Sequence, residues 1–325
     1  PSNPGIAIPI FDMKTGLYFD RFTQFFHHDY RQTLEPEIYY LYVPYRNQNH
    51  MPIFITDAQT FSYFSMFSDN RFGGLDRLGD ANQVTYGVTS NFIDEDTGDQ
   101  KASASIGQTH YFRDREVSLY SGKTPPPISN TDRRVDSPVA ASANYNIAKH
   151  WIASAEAAWN TYRDSFDNDN VGVTYLLDSY RLINLSYNYV RGGDTLPGAI
   201  AGSAKNDLKQ TNLSTAWRVT DRWSVLGRWN YNWSHSSMQA FFYGLSYDSC
   251  CWAVRFLNGR TFVGPSPLNV NRTFDHYNYQ YNTVFYLQFA LKGLGNFGNG
   301  AAKGFVEQNI TNYVDQFGEV NLANE

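Results

Sequence analysis

The chain has 325 residues, a formal net charge of -5, 18% charged residues and 17% aromatic residues. The net negative charge gives no hint of nucleic-acid binding, which requires a basic patch, and the absence of any run of about 18 apolar residues excludes a transmembrane helix. A chain of this length can form one large domain. Its mean hydropathy is polar although it has many Tyr, Phe and Trp residues, a combination found both in membrane-spanning β-barrels and in soluble β proteins.

Segments with period-two alternation, rich in Tyr, Phe, Trp, Val and Thr, recur along almost the whole chain and predict about thirteen strands. In chain order, these segments are Ile8 to Phe22, Gln32 to Tyr45, Asn82 to Phe92, Ala102 to Phe112, Val139 to Ile147, Trp151 to Tyr162, Val171 to Leu177, Leu182 to Val190, Gln210 to Val219, Trp223 to Trp233, Met238 to Tyr247, Cys251 to Leu257 and Tyr277 to Leu291. Helical periodicity is hard to find. The sequence therefore predicts an all-β protein.

The connections alternate between tight turns and longer links, as in outer-membrane barrels with short periplasmic turns and long external loops. The tight turns are Ala148 to His150, Asp178 to Arg181, Thr220 to Arg222 and Asp248 to Ser249. The longer links are Asn47 to Ala81, Ile93 to Lys101, Arg113 to Ser137, Arg163 to Asp169, Gly192 to Lys209, Ser234 to Ser237 and Asn258 to His276, of which only Ser234 to Ser237 is short for its class. The alternation favours a transmembrane antiparallel barrel over a soluble sheet packed on one side, although the strands alone fit both. It places the long links outside and the C-terminus in the periplasm.

The last predicted strand, Tyr277 to Leu291, has two chemically different faces. One face is wholly apolar and consists of Phe285, Leu287, Phe289 and Leu291. The other consists of Tyr286, Gln288 and Ala290. We assign the apolar face to lipid and the other to the barrel lumen, so that residues 292–325 form a periplasmic tail. An odd number of strands predicts that further strands lie upstream, because single-chain bacterial barrels close with an even number.

The two cysteines, Cys250 and Cys251, are adjacent beside a predicted periplasmic turn. Neighbouring strand residues point to opposite faces, so a bond between these two is not expected. Three interpretations remain: two free buried thiols, two disulfides to a segment outside this chain, and a metal site. Adjacent cysteines supply too few correctly spaced metal ligands, and in a secreted protein the disulfides are favoured.

No catalytic constellation is present in the sequence. The seven histidines are scattered, and neither a Gly-x-Ser-x-Gly elbow nor a His-Glu-x-x-His pair occurs. The acidic stretch Asp94 to Asp99 lacks the full pattern of a calcium loop. We therefore predict no enzyme activity, no metal site and no cofactor.

Several longer motifs resemble one known family, LptD. They are YLYVPYRNQ at Tyr40 to Gln48, FGGLDRLGDANQVTYGVTS at Phe72 to Ser90, GQTHYF at Gly107 to Phe112, DSCCWAVR at Asp248 to Arg255 and FALKGL at Phe289 to Leu294. The motifs are long and follow in the family's order. The resemblance covers most of the chain.

The resemblance implies a translocon subunit that inserts lipopolysaccharide (LPS) into the outer leaflet of the bacterial outer membrane. In this family, a periplasmic jellyroll domain receives LPS from an LptA-like bridge, and a barrel of about 26 strands, plugged by an LptE-like lipoprotein, releases it. Residues 1–325 would then be the C-terminal part of the barrel, without the jellyroll and the first strands. Cys250 and Cys251 would bond to N-terminal cysteines, and assembly would require the barrel-assembly machinery.

The resemblance also implies two sets of site residues. A lateral gate would form between the first and last barrel strands, and its candidates here are Asn282, Val284, Phe285, Tyr286, Leu287, Gln288 and Phe289. The link Asn47 to Ala81 would contact the plug, and its candidates are Arg71, Gly73, Gly74, Asp76 and Arg77. A general diffusion porin is the alternative function, and a surface-loop adhesin or soluble lectin-like protein would explain the Tyr and Asn content but not the alternating loops.

Overall fold

A computed structural model describes most of the chain, which divides into two units. The described residues are 5–25, 28–56, 58–122, 127–178, 180–192, 207–234, 236–265, 279–292, 295–297, 301–314 and 317. The first unit comprises Pro1–Asn146 and Ser154–Asp169, and the second comprises Ile147–Ala153 and Asn170–Glu325. Among the described residues, no helix is long and apolar enough to cross a membrane.

The first unit is built on a mainly antiparallel run of consecutive strands. These are β1 (Phe11–Gly16), β2 (Phe19–Phe25), β3 (His28–Val43), β4 (Ala81–Asp94), β5 (Gln100–Tyr111) and most of β6 (Val139–Ala148) and β7 (Trp151–Asn160). Both β1 and β2 pair with β3, on successive stretches of it. The predicted strand Ile8 to Phe22 is divided there because Pro36 on β3 accepts a hydrogen bond from the Leu17 amide at 3.0 Å but has no N–H to return.

The second unit continues the pattern of sequence neighbours pairing in the sheet. Its strands are most of β8 (Ser165–Asp178), β9 (Arg181–Val190), β10 (Leu208–Arg218), β11 (Trp223–Asn232), β12 (Ser237–Asp248), β13 (Trp252–Pro265), β14 (Tyr279–Leu291) and β15 (Gly295–Phe297). The strand pairings from β9 to β15 are all antiparallel among the described residues. One helix, α1 (Ala301–Asn309), follows the last strand.

Each predicted strand overlaps an observed strand, but two predicted links are clearly too long. The link Arg163 to Asp169 is wrong from its third residue onward, because β8 begins at Ser165. The link Asn258 to His276 is wrong at its start, because β13 continues to Pro265 and pairs with β14 through a bulge at Phe262/Gly264. Asn, Asp and Gly disfavour strands by propensity, but cross-strand pairing overrides that preference. The rest of the second link, and most of the predicted link Gly192 to Lys209, lies outside the described residues.

Each unit has an exposed apolar face and a covered face, and the alternation predicted from the sequence is confirmed. In the first unit, the exposed apolar face carries Leu34, Ile38, Tyr86 and Ile106, and the covered face carries Thr33, Tyr39, Leu41, Thr85 and Thr109. In the second unit, the exposed apolar face carries Leu185, Leu213, Tyr243, Phe285 and Leu287, and the covered face carries Leu182, Ser214, Ala216, Phe242 and Leu257. Large apolar side chains on the exposed face suit contact with lipid.

The helix α1 packs on the covered face of the second unit and was not predicted from the sequence. Ala302, Val306 and Ile310 are spaced four residues apart and are fully buried. They form one core cluster whose sheet members are Leu182, Ala216, Leu226, Phe242 and Leu257. That spacing was the available signal, but a nine-residue helix carries too few turns to stand out. The periplasmic location of residues 292–325 stays a prediction.

Candidate functional site

The first candidate site is the strand β14. On one edge it pairs with β13 along its length, from Tyr279 opposite Pro265 to Leu291 opposite Trp252. On the other edge, β15 pairs only with the last three residues, Phe289 to Leu291. In the part of the chain that the structure describes, no strand pairs with this second edge from Tyr279 to Gln288. An unpaired edge presents N–H and C=O groups that accept a further strand.

All seven predicted gate residues lie on β14, where the two faces differ sharply. Phe285 and Leu287 are 62% and 63% exposed. On the opposite face, the Tyr286 ring lies 5.4 Å from that of Phe305 in α1, and Gln288 is buried. The full gate set on this strand is Asn282, Val284, Phe285, Tyr286, Leu287, Gln288 and Phe289. The strand therefore separates an apolar side from one that contacts the C-terminal helix, while its role in a gate stays a prediction.

The second candidate site lies in the link between β3 and β4, residues 44–80, here called the first link. The Asp76 carboxylate accepts hydrogen bonds from the amides of Phe54 at 2.9 Å and Ile55 at 2.8 Å. Gly74 has φ +79°, and a Cβ there would lie 2.8 Å from the Ile55 carbonyl oxygen. Only glycine meets both demands. The turn is therefore specifically folded.

Two arginines connect the first link to the link between β5 and β6, residues 112–138, here called the second link. Arg77 is 1% exposed, and its Nη2 donates to the Tyr120 carbonyl oxygen at 2.9 Å. Arg71 Nη2 donates to the Val117 carbonyl oxygen at 2.6 Å. Both guanidinium groups thus donate hydrogen bonds to carbonyl oxygens within the chain, so we do not expect them to contact a partner directly.

The folded turn of the first link presents apolar side chains to solvent. Leu75 is 91% exposed, Phe54 78% and Ile55 74%. Gly73, which was also predicted as a partner contact, is partly buried beside them. Apolar groups held outward by a rigid loop are typical of a binding surface. Sequence reasoning selected the residues that shape this turn and missed the three that it presents.

The first link also packs on the covered face through Tyr63, which was not singled out from the sequence. Its hydroxyl donates to Glu37 Oε1 at 3.1 Å and lies 3.1 Å from Thr89 Oγ1. Burial is the main cause that raises the pKa of Tyr63. Gly87 and Gly107 face each other across β4 and β5, and a Cβ at Gly87 would lie 2.8 Å from the Tyr63 hydroxyl. Paired glycines in adjacent strands were the sequence signal that another side chain, here Tyr63, packs closely against the sheet at this point.

Replacing Asp76 by Asn is expected to loosen the turn of the first link. The Ile55 and Phe54 amides are the main causes that lower the pKa of Asp76. A carboxylate whose folded pKa is lowered contributes stability above its unfolded pKa of about 3.9 and loses it as the pH falls through the folded value. Amide exchange of Phe54 and Ile55 at pH 7 should become several-fold faster in Asp76→Asn. Asp114→Asn, an exposed carboxylate of the second link, is the control, and equal exchange rates would contradict the expected role.

The third candidate site is the cysteine pair, which lies in the turn before β13. Cys250 and Cys251 are exposed and not bonded to each other, with their Sγ atoms 2.9 Å apart. The expectation of opposite faces is wrong here, because β13 begins only at Trp252 and strand alternation does not apply to the turn. The interpretation as buried thiols is also wrong. The contact between the sulfurs lowers the pKa of Cys250 and raises that of Cys251.

The acidic stretch considered for calcium forms a local turn. Asp94 Oδ1 accepts hydrogen bonds from the amides of Asp96 at 3.0 Å and Thr97 at 3.1 Å. This arrangement is an ordinary turn stabilised by an Asp side chain. Among the described residues, no group of three or more His, Cys, Asp or Glu side chains is placed to hold a metal ion.

A family model for the LPS transport system D, LptD, matches residues 1–223. The chain is 35% identical over 323 residues to the LPS-assembly protein LptD of Legionella pneumophila strain Lens, covering 97% of this chain and 38% of that protein. It is 35% identical over 328 residues to the LPS-assembly protein LptD of Pseudomonas aeruginosa strain UCBPP-PA14, covering 96% and 34%. The chain thus spans little more than a third of these relatives.

Among solved structures, the chain is similar to the ferric-catecholate import receptor Fiu of E. coli K12. The TM-score is 0.40 at 11% identity, covering 88% of this chain and 46% of the receptor. It is also similar to the copper transporter OprC, with a TM-score of 0.34 at 12% identity, covering 88% and 50%.

Proposed function

Because the chain belongs to the LPS transport system D (LptD) family, we propose that it works in LPS transport as part of a translocon, and not as an enzyme. The chain is part of a bacterial outer-membrane β-barrel protein. In the proposal, LPS enters the lumen of the barrel from the periplasm and leaves sideways through a seam between the first and last strands. The strand β14 forms one side of that seam.

The observation that carries the seam is the second edge of β14, which no strand among the described residues pairs with from Tyr279 to Gln288. A closed barrel exposes no backbone edge to lipid, because hydrocarbon cannot satisfy free N–H and C=O groups. LPS is an amphiphile, so its sugar needs a wet path while its acyl chains need an apolar one. A strand with Phe285 and Leu287 on the exposed apolar face and Gln288 on the covered face borders both paths. A seam that opens beside β14 would let the two parts of one molecule move through different media.

The proposed partners are an LptE-like lipoprotein plug, an LptA-like periplasmic bridge and, during assembly, the barrel-assembly machinery. The support on this chain concerns the plug. The first link holds Leu75, Phe54 and Ile55 outward on a turn fixed by Asp76 and Gly74. We place the plug contact at these three apolar side chains, with Asp76 and the glycines as the residues that shape the turn.

The experiment that tests the function compares LPS delivery with passive permeability. The full-length protein and its lipoprotein plug are reconstituted in vesicles, supplied with LPS through the periplasmic bridge, and assayed for LPS on the vesicle surface. Liposome swelling in small sugars is measured on the same vesicles. We expect LPS delivery without rapid swelling. Rapid swelling without LPS delivery would contradict the translocon function and support a diffusion porin instead, since a porin passes small solutes through its lumen and requires no seam.

A further inference from the structure

We propose that the helix α1 is a brace that holds β14 in the sheet, with Phe305 as the positioning residue. The inference rests on the proposed function, in which β14 borders the seam. A seam that opens only during LPS release requires contacts that stabilise its strand in the sheet while the seam is closed. Residues 295–297 pair with the end of β14 and residues 302–310 pack over the covered face, and both supply contacts of this kind.

Phe305 bridges the last strands of the second unit's sheet. Its ring centroid lies 5.2 Å from that of Phe242 on β12 and 5.4 Å from that of Tyr286 on β14. On β13 between them, Gly259 leaves the room that the ring occupies, since a Cβ there would lie 3.2 Å from Phe305 Cζ and 3.1 Å from Val284 Cγ2. One side chain therefore contacts three consecutive strands, including the edge strand. Ring pairs at these distances attract each other beyond their buried area.

The helix is anchored on strands far from the edge. Asn184 on β9 donates through Nδ2 to the Thr311 carbonyl oxygen at 2.9 Å, and the Arg228 guanidinium on β11 donates to Asn309 Oδ1. The fully buried residues of the anchor are Ala302, Val306 and Ile310. An element fixed on β9 and β11 that also contacts β14 resists the movement of β14 away from β13.

A second part of the same tail acts on the edge itself. The strand β15 pairs with β14 at Phe289, Ala290 and Leu291. These three residues are thereby unavailable to the first barrel strand. The tail thus shortens the seam at one end through β15 and braces its strand from the covered face through α1.

The test measures the pairing of β14 without LPS. The full-length protein with its plug, in lipid nanodiscs, is compared with its Phe305→Ala variant by amide hydrogen exchange. Exchange in peptides from β14 should rise about tenfold, which corresponds to about 1.4 kcal/mol, while peptides from β9 and β10 keep their rates. The matched control is Gly304→Ala, since a Cβ at Gly304 meets nothing within 4 Å, and its β14 exchange should not rise.

Two further variants keep the outcome decisive. Phe305→Leu keeps apolar bulk over Gly259 and should restore most of the protection of β14. Gly259→Ala leaves the helix sequence intact but crowds the seat of the ring, and it should raise exchange in the same peptides. Unchanged β14 exchange in Phe305→Ala, or an equal rise in all strands, overturns the brace.

The same variants separate the brace from the proposed function. Faster β14 exchange in Phe305→Ala, in a protein whose LPS delivery survives a covalent lock of the seam, supports the brace and overturns the role of the seam in transport. Unchanged exchange, in a protein whose delivery stops when the seam is locked, overturns the brace and leaves the transport function standing. Faster exchange together with altered delivery supports both.

Discussion

A covalent lock across the seam is expected to abolish LPS delivery by the full-length protein. The lock joins Asn282→Cys on β14 to a cysteine at the facing position of the first barrel strand, through a bismaleimide. Asn282 is exposed and lies on the stretch of β14 with no paired strand at its second edge among the described residues. Acyl chains cannot pass a closed wall of hydrogen-bonded strands, so the LPS would stay in the lumen. LPS on the vesicle surface is the quantity measured.

A crosslink away from the seam provides the control. Ala240 on β12 and Thr261 on β13 are opposite each other in register, so a bismaleimide between Ala240→Cys and Thr261→Cys joins strands that the proposal keeps closed. Delivery should survive this crosslink, and also a monofunctional maleimide on Asn282→Cys. Normal delivery by a fully locked seam would refute lateral release through β14.

The second large effect is expected from the cysteine pair. Each of Cys250→Ser and Cys251→Ser should remove a different disulfide to the upstream part of the full-length protein, visible as a different shift in non-reducing gel mobility. Loss of a native disulfide typically costs about 2 to 5 kcal/mol, so the double variant should lose most LPS delivery. Both sulfurs are exposed, and the lowered pKa of Cys250 makes it the better thiolate for disulfide exchange with a periplasmic oxidant.

The control for this pair is Asp221→Ser, an exposed residue in the turn before β11 and away from both sulfurs. Its mobility and delivery should equal those of the unchanged protein. A mobility that never responds to reductant, in any variant, would mean that both thiols are free. The predicted disulfides to an upstream domain would then be rejected, and the diffusion porin would become the better supported function.

The strands were predictable because each carries its own signal. Period-two alternation marks the buried and exposed faces of β11 and β14 within ten or so residues, and no distant contact is needed to read it. The errors lie where neighbours decide. Ser165 to Asn170 contains two Asp and two Asn residues, a composition that indicates a loop, yet pairing keeps it in β8, with Asn160 Nδ2 donating to Asp167 Oδ2 at 2.6 Å.

The candidate site residues were only partly predictable from the sequence. The motif around Gly73, Gly74 and Asp76 is readable as a turn because glycine and aspartate have local conformational preferences. The sequence does not predict that the turn exposes Leu75, Phe54 and Ile55. Their exposure depends on two segments, about twenty residues apart, that meet at Asp76. For the same reason, Tyr63 could not be placed against Glu37 and Thr89 before the strands were.

By itself, the sequence determined the class of fold, the order of the strands, the two faces of each strand and the family. These properties follow from short-range periodicity, turn chemistry and motif order, all of which lie within a few residues. Only the tertiary structure decided that residues 301–309 form a helix over the covered face, that β15 pairs with the end of β14, and that Cys250 and Cys251 lie side by side in a turn. The free energy of those arrangements comes from contacts between distant segments, such as Phe305 against Gly259, and no local pattern encodes them.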